Sequence, residues 1–115
     1  LLKECRRVLK KDGILRLATP DADNLMERFR QGTLSFFDEV NDGCAAAKSG
    51  IEKFFSIACS GHSSMYNAAT LVKALQEAGF SKAQAMPFRE SLNPQILRET
   101  YDMHPTLSTY VDAIA

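Results

Sequence analysis

The sequence predicts an α/β fold, a small three-stranded sheet packed with helices, and three stretches carry that prediction. Leu1 to Asp21 reads as helix, charged turn and apolar strand. Asn67 to Phe80 has a complete helix start-and-stop signature. The last third holds two extended patterns, Lys82 to Phe88 and Thr106 to Ala113, so the strands are expected there and from Ile14 to Thr19.

In the first stretch Leu2, Cys5 and Leu9, with Val8 beside them, recur at the spacing of a helix with one apolar face. Asp12-Gly13 ends it. Ile14, Leu15, Leu17 and Ala18 form an apolar run broken only by Arg16, which suits a strand covered on both faces. Pro20 cannot donate to a ladder, so the strand should stop there and leave Thr19, Asp21 and Asp23 past its carboxyl end. That edge is where ligands bind in open α/β sheets.

Asp21 or Asp23 can cap a following helix whose apolar face is Leu25, Met26 and Phe29 and whose end is Gly32. Capping and a place in a substrate pocket are both open to Asp21, and one carboxylate can serve both. Between residues 33 and 61, Leu34, Phe36, Phe37 and Val40 suit a short helix and Asn41-Asp42-Gly43 a turn. Ile51, Phe54, Phe55 and Ala58 suit another helix. The four phenylalanines of this region are core by their spacing, or else a lid over a substrate.

Gly61 to Tyr66 is a small, polar approach to the next helix, where His62 and Tyr66 could point at a ligand or serve the structure alone. Asn67 caps that helix, Leu71, Val72 and Leu75 form its buried face, and Gly79 closes it so that Phe80 folds back on Leu75. Asn93 to Met103 carries a short helical pattern. From Leu107 to Ala113 apolar and polar residues alternate as in a strand.

The segment LLKECRRVLKKDGILRLATPD resembles the helix and fifth strand of class I S-adenosylmethionine-dependent methyltransferases, with Lys11-Asp12-Gly13 where that family more often has Pro-Gly-Gly. HSSMYNAATLVKALQEAGF and the ending ES-P-x-L followed by LSTYVDA are similar to later segments of a bacterial subgroup of predicted methyltransferases. The resemblance implies the carboxyl-terminal half of a Rossmann-like methyltransferase fold, with the last strand antiparallel and central in a mixed three-stranded sheet. It also implies that residues 33–61 are a substrate-side insertion, and that Asp21, His62 and Tyr66 are substrate-binding candidates.

The chain opens inside a helical pattern without Met or a capping residue, which reads as a truncation. The implied S-adenosylmethionine would then be held by the missing half, since no G-x-G-x-x-G is present and six glycines are scattered at turns. No cofactor-binding or catalytic residue is assigned to this chain, and alone it is expected to be inactive.

At 115 residues the chain suits one domain, from 1 to 115. Zero net charge disfavours a nucleic-acid partner or an anionic membrane, and no apolar run approaches a membrane span. Cys5, Cys44 and Cys59 have neither metal nor disulfide spacing, which fits a reducing cytoplasm and no metal. The competing expectation is a non-enzymatic module for dimerisation or protein binding. A first strand deprived of its neighbour would recruit a second copy, so a homodimer is expected.

Overall fold

The computed structural model describes residues 1–33, 49–59, 64–97, 102 and 104–115. Expectations for Leu34 to Val40, the Asn41-Asp42-Gly43 turn, Cys44, His62, Tyr101 and Met103 lie outside them. The described elements are α1 (Leu2–Val8), β1 (Ile14–Pro20), α2 (Ala22–Arg30), α3 (Gly50–Cys59), α4 (Ala68–Glu77), β2 (Lys82–Met86), a single 3₁₀ turn (Pro94–Ile96) and β3 (Ser108–Ile114). This is a mixed α/β architecture with a small sheet.

The sheet order is β1-β3-β2, so the last strand is central and antiparallel to both neighbours. The expected order is observed. The expected mixed character is not: both ladders are antiparallel, because β3 separates the two strands that run the same way. Register places Arg16 opposite Asp112 and Leu17 opposite Val111.

Successive residues of a strand point to opposite faces, and the two faces here differ in kind. One carries Leu15, Leu17, Ala83, Val111 and Ala113, and meets α1 and α4 through Leu2, Cys5, Leu9, Leu71, Leu75 and Phe80. Leu75 and Val111 are fully buried. Each such side chain contributes about 1.5–3 kcal/mol of burial. The other face carries Arg16, Tyr110 and Asp112 and is crossed by the connection from β2 to β3.

α4 forms as its sequence dictates. Asn67 Oδ1 accepts from Thr70 N–H at 2.9 Å while Thr70 Oγ1 accepts from Asn67 N–H at 3.0 Å, a reciprocal capping box. At the other end Gly79 takes φ +97°, Phe80 N–H donates to Leu75 O and Gly79 N–H to Gln76 O. That pair of bonds is a Schellman closure, and it brings Phe80 into the core beside Leu75.

A second, smaller cluster joins α2 and α3 through Leu25, Ile57 and Leu107, with Phe54, Ala58 and Met65 against it. The expected helix faces need correction here. Met26 is 52% exposed, and Ile51 and Phe55 are 59% and 65% exposed. α2 and α3 cover only a narrow stripe of each other, so Leu25, Phe54 and Ile57 are enclosed while their neighbours round the helix stay on the rim. Phe29 keeps a tilted ring contact with Phe54, centroids 5.1 Å apart.

The strands need two corrections as well. β1, expected to be covered on both faces, is half-buried, with Ala18 exposed, because it pairs on one side only among the described residues. β3, expected to alternate, is buried on both faces from Thr109 to Ala113, as a central strand must be. The strand expected to reach Phe88 stops at Met86, and the described part of the helical pattern after Asn93 holds a 3₁₀ turn, Pro94–Ile96.

Candidate functional site

The carboxyl end of β1 is a corner built from the main chain. Asp21 follows Pro20 and forms a parallel bridge with Tyr66, in which Ala22 N–H donates to Tyr66 O at 3.0 Å. On the opposite side Asp21 N–H donates to Leu107 O at 2.9 Å. Two of the three candidates named from sequence, Asp21 and Tyr66, are therefore brought together. His62 lies outside the described residues.

Asp21 caps α2, its Oδ1 accepting from Asp23 N–H at 3.1 Å. Asp23 Oδ2 in turn accepts from Asn67 Nδ2 at 2.9 Å, and Asn67 is the cap of α4. The amino ends of α2 and α4 thus converge beside the strand end, and their partial positive charges favour carboxylates there. Asp21 is half-buried and Asp23 exposed. Tyr66 gives its carbonyl to the corner, while its side chain packs on the helix-side core. A carboxylate so placed can accept a hydrogen bond from an incoming O–H or N–H and hold its orientation.

A second polar cluster, missed in the sequence, lies on the other face of the sheet. Arg16 donates from Nε to Asp102 Oδ1 at 3.0 Å, from Nη2 to Asp102 Oδ2 at 2.6 Å, and from Nη1 to Asp112 Oδ1 at 2.8 Å. Asp102 Oδ2 also accepts from Arg89 N–H, and Asp112 Oδ2 from Ser91 Oγ–H and Leu92 N–H. The guanidinium lies 5.1 Å from the centre of the Tyr110 ring. All three charged side chains are at most 8% exposed.

The Arg16 hydrogen bonds hold the Asp102 carboxyl below the usual carboxylate range; burial opposes this and the Arg89 N–H adds to it. Burial pulls Arg16 down, but its two carboxylates outweigh that and raise it. The cluster is a structural clasp, with every polar atom spoken for. One signal could have found it: a lone arginine in an apolar strand needs a buried counter-charge.

Among the described residues no group of three or more His, Cys, Asp or Glu side chains gathers as metal ligands would, and no helix is long and apolar enough to cross a membrane. No family model, curated protein or solved structure matches the chain.

Proposed function

We propose that this chain is the acceptor-side part of a class I S-adenosylmethionine-dependent methyltransferase, acting within a longer enzyme. The observation that carries the reading is the sheet: the last strand lies antiparallel between the other two, the order the family resemblance implies. The Asp21 corner supports it, because it stands past the carboxyl end of β1, where α/β sheets take their ligands.

S-adenosylmethionine supplies an activated methyl group to such a reaction. The residues of this chain do not fit it, since the sequence holds no G-x-G-x-x-G turn. Asp21 would orient the acceptor nucleophile by accepting its proton-bearing N–H or O–H, with Tyr66 fixing the corner through its carbonyl. The test is cofactor binding and methyl transfer by the polypeptide extended by the sequence encoded before Leu1, with Asp21→Asn beside it. The extended chain should bind the cofactor, and Asp21→Asn should lower turnover and leave cofactor binding intact. Failure of the extended chain to bind would overturn the reading.

A second reading, a dimerisation or protein-binding module, is favoured by the outer edge of β1. Asp21 N–H and Ala115 N–H bond across to Leu107 O and Gly13 O, so the odd-numbered residues of β1 face β3. Ile14, Arg16 and Ala18 then turn their backbone groups outward. Val8, at the end of the helix that precedes β1, is 67% exposed. An edge strand with outward backbone groups is a surface that a second copy can pair with.

A further inference from the structure

We infer that Arg16 and Asp102 are positioning residues for the Asp21 corner, acting through residues 104–107, the chain that enters β3. This inference takes its functional meaning from the reading of the corner as the acceptor side, but the coupling is a property of the fold and is tested separately.

The entering chain is fastened at both ends. At one end Asp102 is gripped by the Arg16 fork, and His104 N–H donates to Tyr110 Oη at 3.2 Å, the ring on which Arg16 rests. At the other end Leu107 O accepts from Asp21 N–H, and Thr106 O accepts from Asn24 Nδ2 in the first turn of α2. A turn in which Ser108 N–H donates to His104 O joins the two ends. Only four residues lie between Asp102 and Leu107 in the sequence.

The clasp lies on the polar face of the sheet, and the corner lies beyond the end of β1. The planar guanidinium fixes Asp102 in two directions at once, which a point charge cannot do. Its grip therefore sets where Leu107 O stands, and Leu107 O sets the main chain of Asp21. Leu107 is also buried beside Leu25 and Ile57, which offers a rival anchor that the test has to separate.

The test is native-state amide hydrogen exchange, residue by residue, on the whole chain carrying Asp102→Asn, with Arg16→Lys as the variant that keeps a buried cation and so favours folding. The expected result in either variant is a loss of protection at the Asp21 amide about tenfold greater than the loss of global stability accounts for. The Leu75 amide in α4 should follow the global loss alone. Unchanged protection at Asp21 would assign the hold to Leu107 packing and overturn the inference. An equal loss at Asp21 and Leu75 would also overturn it, because the clasp would then serve only global stability.

Discussion

Arg16 and Asp112 stand directly opposite each other on neighbouring strands, joined by a 2.8 Å hydrogen bond, and both are buried. Removing Arg16 leaves two carboxylates without their counter-charge in a low-dielectric site. Arg16→Met is therefore expected to destabilise the fold by about 3–5 kcal/mol. Replacing Arg16, Asp102 and Asp112 together by apolar residues should cost much less. Urea unfolding of the single and triple variants checks this, and a triple variant weaker than Arg16→Met would contradict it.

Acid should undo part of this cluster. The folded chain holds Asp102 below the ordinary carboxylate range, so it binds that proton less readily than the unfolded chain does. The stabilisation is complete above the unfolded value of about 4, and it is lost as pH falls through the lower folded value. Unfolding midpoints of the native protein and Asp102→Asn should differ most at neutral pH and converge in acid. Parallel curves would contradict the assignment.

Arg89 adopts φ +56°, a left-handed conformation that an arginine enters only at a cost, and it does so while its N–H reaches Asp102. Arg89→Gly relieves that cost and keeps the N–H. It should be more stable than Arg89→Ala, which keeps the strain, by about 1 kcal/mol. Thermal unfolding of the pair checks it, and equal midpoints would contradict it.

Loss of the Asn67 cap should be felt at both convergent helices. Asn67→Ala removes the bond to Thr70 N–H and the bond to Asp23, and should cost about 1 kcal/mol or somewhat more. Chemical denaturation gives the value, and a neutral substitution would show that water replaces the cap.

The second reading has its own outcome. If copies pair along β1, Ala18→Pro should return the protein to a monomer, since it removes an outward N–H and spares the bonds to β3. Sedimentation at micromolar concentration decides it. An unpaired native chain would exclude edge pairing.

What the sequence revealed was what local chemistry decides. Asn67, Thr70 and Gly79 lie within one helix length of each other, and α4 begins and ends where they direct. Pro20 stopped β1 for the same reason. Arg16 was visible only as an interruption, because its partners are 86 and 96 residues away and no short-range pattern joins them. Met26, Ile51 and Phe55 share helical spacing with enclosed residues and yet stay exposed, because periodicity shows which residues share a face and not how wide the covering neighbour is. The corner was half legible: Asp21 was placed at the strand end, while its bridge to Tyr66 depends on chain passing through residues with no local signature.

Calorimetry with S-adenosylmethionine tests the acceptor-side role. Two proteins are compared, Leu1–Ala115 alone and the same chain extended by the sequence encoded before Leu1. The first should give no saturable binding heat, and the second should bind clearly. Absence of binding by the extended protein, or tight binding by Leu1–Ala115 alone, would contradict it.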